Sequence, residues 1–117
     1  MEVQAVTRNV RMSAQKMREV VRQIQGLNAV HAQAILAAVP RKGARLVAKT
    51  LKSALANAED LKRSKQEYSG LVVEALRIKQ AVAGTATPLK RFIPKARGSG
   101  GPILKRSCHI KIVLSDD

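Results

Sequence analysis

The sequence predicts an α+β fold: three helices packed on a small antiparallel three-stranded sheet, with a long β-hairpin projecting from the body. Three observations carry this reading. Apolar residues recur at helical spacing from Ser13 to Asp60, two-residue alternation marks both ends of the chain, and Pro88 to Lys111 is basic without one acidic residue. The expected organisation is a globular α+β body over residues 1–88, an extended basic hairpin arm over 89–105, and a C-terminal strand over 106–117 that returns to the body sheet.

Val3, Ala5 and Thr7 alternate with Gln4, Val6 and Arg8, which marks a first strand. Ser13 stands where a helix N-cap belongs; behind it Met17, Val20, Val21 and Ile24 share one helical face, and Gly26 is a natural stop. Asn28 caps a second, shorter helix expected to turn Val30, Ala34, Ile35 and Ala38 inward. Pro40 suits the first position of a third helix, because its missing N–H has no partner there in any case. That helix is expected from about Arg41 to Asp60, with Ala44, Val47, Leu51, Ala54, Leu55 and Ala58 inward. On its other side Lys42, Arg45, Lys49 and Lys52 step by three or four into a basic stripe. A solvated stripe ordinarily mixes signs to gain i,i+4 pairs, but no carboxylate occurs between Glu19 and Glu59, which favours a phosphate-facing surface.

Residues Leu61 to Ser69 read as a frayed helix end or surface linker, and Gly70 to Ala75 as either a helical turn or the start of a strand. From Leu76, alternation with Ile78, Gln80 and Val82 supports a strand. Gly98-Ser99-Gly100-Gly101-Pro102 is the expected turn of the hairpin. Beyond it, alternation along the return strand puts Cys108, Ile110, Ile112 and Leu114 on one apolar face. Lys105 and Arg106 fall on opposite faces, so the root of the arm has no core side to bury. It is expected to project into something anionic.

The chain has 117 residues and a net charge of +14, from 22 Lys plus Arg against 8 Asp plus Glu. Such an excess implies an anionic partner. With one Phe, one Tyr and no Trp, base-stacking recognition and a bulky membrane-binding face are both disfavoured, leaving shape and phosphate contacts with RNA as the expected mode. A single cysteine fits a reducing compartment; no apolar run could span a bilayer, and a cytoplasmic location is expected. Catalysis is not expected. Cys108 and His109 are adjacent, and neighbours in a strand point to opposite faces, so they cannot form a nucleophile–base pair. With His31 as the only other histidine, no metal site is expected, and no cofactor. A free nucleic-acid-binding regulator using the same basic surfaces is the alternative reading.

Several of these residues form a recognisable pattern. Arg11, Ser13, Gln15-Lys16, Arg18, Ile24 and Gly26 open it; Ser53-Ala54-Leu55-Ala56-Asn57-Ala58-Glu59 follows on the third helix. Leu89-Lys90-Arg91, Pro94, Arg97-Gly98, Lys105-Arg106 and His109-Ile110 complete it. Over nearly its whole length the chain resembles the bacterial large-subunit ribosomal protein twenty-two family. The resemblance implies a structural role in the large ribosomal subunit: binding ribosomal RNA, supporting assembly, touching neighbouring large-subunit proteins, and lining the nascent-peptide tunnel with the hairpin. The basic surfaces read above and this resemblance together make Arg8, Arg11, Lys16, Arg18, Lys42, Arg45, Lys49, Lys52, Lys90, Arg91, Lys95, Arg97, Lys105, Arg106, His109 and Lys111 the candidate RNA contacts, with Lys90, Arg91, Lys95, Arg97, Lys105 and Arg106 resting on the resemblance. Lys90, Arg91, Phe92, Pro94, Lys95, Arg97 and Gly98 become the candidate tunnel-lining residues, facing the passing polypeptide. Two departures stand out. The tip lacks the arginine that relatives commonly carry after the first glycine, and Asp60 to Ala75 is longer than usual, as expected of a surface insertion.

Overall fold

The computed structural model describes residues 2–94, 96–98 and 100–116. Five strands and three α-helices follow in the order β1 (Glu2–Val10), α1 (Ala14–Ile24), α2 (Ala29–Ala38), α3 (Lys42–Ser64), β2 (Arg77–Thr85), β3 (Leu89–Pro94), β4 (Gly100–Lys105) and β5 (Cys108–Ser115). Strands β1, β5 and β2 form an antiparallel sheet with β5 in the centre, and β3 and β4 form a separate two-stranded arm. This is the expected α+β architecture.

The sheet carries the helices on one face. Cys108, Ile110, Ile112 and Leu114 are fully buried on the inner face of β5, as alternation requires, beside Val3 and Ala5 of β1 and Ile78, Ala81 and Ala83 of β2. Met17, Val20, Val21 and Ile24 of α1 meet them, together with Ala44, Val47, Leu51, Ala54 and Ala58 of α3. Thr50 is the polar member of that face. Its hydroxyl reaches the Leu46 carbonyl at 3.1 Å and the Thr7 hydroxyl at 2.7 Å. If Thr50 donates to Leu46, Thr7 must donate to Thr50, since a hydroxyl has one proton.

Several outward backbone groups along β2, and one on β1, are engaged. On β2, the link between α1 and α2 supplies main-chain bonds: Gly26 N–H to the Ile78 carbonyl at 2.9 Å, Ile78 N–H to the Leu27 carbonyl at 2.8 Å, and Ala29 N–H to the Leu76 carbonyl at 2.9 Å. Gly26 sits at φ +80°, the left-handed conformation that lets the chain leave α1 and turn along the strand. The Gln25 side chain accepts from Ala81 N–H at 3.1 Å beside the register shift between Ile78 and Gln80. On β1, Asn57 of α3 donates to the Gln4 carbonyl at 3.1 Å. Covered edges resist pairing with other chains.

Several expectations need correction. Helix α2 buries Ala29, Ala32 and Leu36, while Val30, Ala34 and Ala38 are exposed and Ile35 is half-buried. It packs mainly on α3, so its burial is set by a helix–helix contact, and a segment apolar on nearly every side offered no stripe to read. Pro40 lies ahead of the N-cap, Arg41, and α3 runs on to Ser64. Residues 62–67 are exposed, as a surface linker should be, and of the two readings of Gly70 to Ala75 the helical turn is found, at Val73–Ala75; the unexpected feature is that Leu71 and Val73 enter the core. The hairpin turn falls earlier than expected, because Pro94 pairs with Gly100, so Gly100, Gly101 and Pro102 already belong to the return strand.

The arm makes the molecule long. Its principal extents are 68 × 27 × 17 Å and its radius of gyration is 17.7 Å, against roughly 13 Å for a compact domain of this length. Leu51→Ala in the α3 core is expected to cost about 2–5 kcal/mol of unfolding free energy, measured by urea denaturation. Removing Lys90 to Lys105 through a short glycine link should leave a cooperative transition, because Gly101 is the sole buried residue described in that span. Burial also pushes the Cys108 thiol above its usual value. Iodoacetamide should therefore leave the native protein unmodified at neutral pH and label Cys108 on unfolding, as read by intact mass.

Candidate nucleic-acid interface

The arm leaves the body where β2 and β5 end. Thr85 pairs with Cys108, Ala86 N–H donates to the Ser107 carbonyl at 3.1 Å, and the arm's own ladder begins at Leu89 and Lys105. Arg106 therefore lies in the joint, outside the hairpin. Its carbonyl accepts from Arg11 Nη1 at 2.6 Å, and the Arg11 carbonyl in turn accepts from Lys42 Nζ at 3.3 Å. This chain of contacts straps the root of the arm to the link before α1 and to the first turn of α3. Close packing there depends on Gly43, where a Cβ would stand 3.2 Å from both the Met12 and Val20 side chains.

The result is an open cleft of about 660 Å³ between arm and body, with five cations in its walls: Arg11, Lys16, Lys42, Lys105 and Arg106. Among the described residues, no carboxylate lines it. Ser13 does; it holds the N-cap position of α1 but its side chain makes no capping bond, and the first turn of that helix has no acidic residue. The exposed amides of a helix start favour an anion at the same place. Sequence reading assigned Ser13 only a capping role. The adjoining cavity, about 280 Å³, shares Ser13 and Arg106 and adds Arg18. Arg18 spends its Nε–H on the Ala83 carbonyl at 3.1 Å, tying α1 to β2 and fixing the guanidinium plane.

The other candidates are not gathered there. Arg45, Lys49 and Lys52 continue from Lys42 as an exposed stripe along α3. Arg8, His109 and Lys111 lie on the sheet face turned away from the helices. There Asn9, at φ +56°, opens a register shift in β1, and its N–H donates to His109 Nδ1 at 3.1 Å. That bond puts the proton of neutral His109 on Nε2 and gives the ring a structural task. Lys90 and Arg91 project from opposite faces of β3, as a two-sided basic arm requires, and Arg97 sits at the tip at φ +61° ahead of Gly98 at φ +75°. Phe92 is 79% exposed. Lys95 lies outside the described residues.

Among the described residues this set forms no ion pair with a carboxylate, and Lys111 acts on Glu2 by charge alone. Among the described residues, ion pairs join Arg41 to Glu19 at 2.5 Å, Arg63 to Glu59 at 4.0 Å, and Lys79 to Glu2, whose carboxyl is held below its usual range by the Lys79 hydrogen bond and charge. None of the candidate cations takes part. Among the described residues there is also no group of three or more His, Cys, Asp or Glu side chains placed to hold a metal, and no helix long and apolar enough to cross a membrane.

A compact α+β body, cations left without carboxylate partners on several sides, and an exposed arm rooted in a basic cleft define a protein built around a polyanion. Comparison with known proteins makes the class specific. The family described as ribosomal protein L22p/L17e matches residues 5–115. The chain is 50% identical over 116 residues to the large ribosomal subunit protein uL22 of Opitutus terrae, covering 99% of this chain and 96% of that one. It is 45% identical over 116 residues to the protein of the same name from Akkermansia muciniphila, covering 99% and 97%. The chain belongs to the ribosomal protein L22p/L17e family.

If the cleft holds phosphate, replacing Lys105 and Arg106 together by alanine should reduce the slope of log K against log salt for RNA binding by about 1.8, at about 0.9 per contact. Lys62→Ala, an exposed change outside the candidate set, should leave the slope unchanged. Filter binding across a salt series measures both.

Proposed function

We propose that the chain is a structural, non-catalytic constituent of the large ribosomal subunit, binding ribosomal RNA through phosphates and supporting assembly. The observation that carries this reading is the convergence of Arg11, Lys16, Lys42, Lys105 and Arg106 on one cleft with no carboxylate among them. Cations crowded together repel each other in the free protein, and an RNA backbone entering the cleft removes that repulsion while releasing its own counterions. The spread of the remaining cations over α3, the outer sheet face and the arm suits a partner that surrounds the protein, as folded RNA does.

In this reading the arm reaches into the nascent-peptide tunnel. Lys90, Arg91, Phe92, Pro94, Lys95, Arg97 and Gly98 line the tunnel and face the passing polypeptide, and of these Lys90, Arg91, Lys95 and Arg97 also contact RNA. The exposure of Phe92 supports this, since a large apolar ring held in water on a thin arm needs another surface to cover it. Neighbouring large-subunit proteins are the further partners.

Co-sedimentation of the tagged chain from a cell lysate tests the proposal. The chain should travel with the large subunit in low salt and stay there in high salt, because an embedded arm adds contacts that screening does not release. Migration to the top of the gradient in high salt, with RNA or DNA binding retained in low salt, would replace this reading with that of a free nucleic-acid-binding regulator.

A further inference from the structure

We propose that the groove between α2, α3 and the Val73–Ala75 turn is a docking site for an apolar, lysine- or arginine-bearing segment of another protein. The groove has a volume of about 320 Å³; Val30, Leu55, Ala56 and Val73 give it an apolar floor and Glu59 and Glu74 an acidic rim. Two features single it out from the rest of the surface.

The first is apolar exposure. Helix α2 satisfies its contact with α3 through Ala29, Ala32 and Leu36, which leaves Val30 48% exposed with Ala34 and Ala37 exposed near it on the same side. Of the large apolar side chains left exposed on the body (Val6, Val30 and Val72), Val30 lines this groove. The floor is held in place: Asn28 caps α2 by accepting from Val30 N–H at 2.9 Å and donates to the Glu74 carbonyl at 3.1 Å, locking the turn to the helix.

The second is charge. Four of the eight acidic residues, Glu59, Asp60, Glu67 and Glu74, fall in this part of the chain, whereas residues 20–58 and 75–115 contain none. The rim thus reverses the sign of the surface used for RNA. Carboxylates repel a phosphate backbone and an acidic peptide alike. A segment combining apolar side chains with Lys or Arg fits both floor and rim. The pair between Glu59 and Arg63 does not obstruct it, being 4.0 Å long with both side chains exposed, and such pairs are worth little. Lys52, at the groove's edge, belongs to the α3 basic stripe, so the occupant would lie alongside bound RNA, where a basic segment is again favoured. The proposal rests on the ribosomal reading only for the source of its partner.

The test uses the full chain carrying a photo-crosslinking amino acid at position 30, or in a separate protein at position 90, recovered in salt-washed large subunits. The position 30 probe should yield a protein crosslink whose peptide carries Lys or Arg beside apolar residues. Glu59→Lys with Glu74→Lys should cut that yield about tenfold, with Glu59→Gln/Glu74→Gln intermediate and the circular dichroism spectrum unchanged. The position 90 probe should react with RNA in every variant. If position 90 reacts and position 30 gives only RNA, a second copy of this chain, an acidic peptide or no product, the docking proposal is overturned. If position 90 fails while position 30 gives the basic peptide, the docking site stands and the RNA contact assigned to the arm falls; if both fail, both are overturned, and a chain that is not recovered in salt-washed large subunits overturns the ribosomal reading itself.

Discussion

The pairing of β2 with β5 fixes nearly everything else in this molecule. From Arg77 opposite Ser115 to Thr85 opposite Cys108, the ladder sets Ile78, Ala81 and Ala83 beside the buried residues of the central strand. A slip of one residue would turn Cys108, Ile110, Ile112 and Leu114 away from the helices, so the register is held by the whole core. Residues 86–107 must therefore leave the sheet at one point and return to the same point. Beyond the bond between Ala86 and Ser107, β3 and β4 pair with each other in a sheet of their own. An isolated two-stranded ribbon is marginal in water, so what the arm lacks in core it must gain from whatever surrounds it.

Charge placement follows the same geometry. The strap from Lys42 through Arg11 to Arg106 uses backbone carbonyls as acceptors, so it orders three cations without neutralising any of them. Glu19, Glu59 and Glu2 are meanwhile engaged by Arg41, Arg63 and Lys79, none of which lies in the root cleft. A carboxylate in the cleft would stabilise the free protein and compete with phosphate. Its absence shifts part of the molecule's stability onto its bound state, because a ligand that binds only the folded form adds its binding free energy to folding.

How legible this was depended on how many environments a residue answers to. The β5 face could be read because one period, set by one sheet, governs Cys108 to Leu114. The inward faces of α1 and α3 could be read for the same reason, since each meets the sheet along a single stripe. The cations of the site were legible as a composition but not as a place: Arg11 and Arg106 are far apart in sequence, and only the return of β5 beside β1 brings them together. Asn9 and His109 show another limit. A register shift at a positive φ, bonded to a side chain across the sheet, leaves no periodic trace. Helix α2 failed through ambiguity, being apolar on several sides, and what local pattern cannot decide was decided by contact with α3.

The arm's glycines show how the same residue can carry a different meaning once pairing is known. Gly100 and Gly101 suggest a turn when read along the chain, yet the turn is made by Arg97 and Gly98, and the two glycines stand in β4 opposite Pro94 and Ile93. Each outermost rung of the ladder thus carries one side chain instead of two. Nearer the root, Arg91 faces Ile103 and Lys90 faces Leu104, so the rungs are full and charged. The ribbon tapers from a broad basic base to a narrower end that still carries Arg97. Bulk is removed where the arm has furthest to reach. A side chain at Gly100, where a Cβ would meet nothing within 4 Å, would widen the tip without touching the core, a change whose cost would be felt in the arm's surroundings and not in the fold.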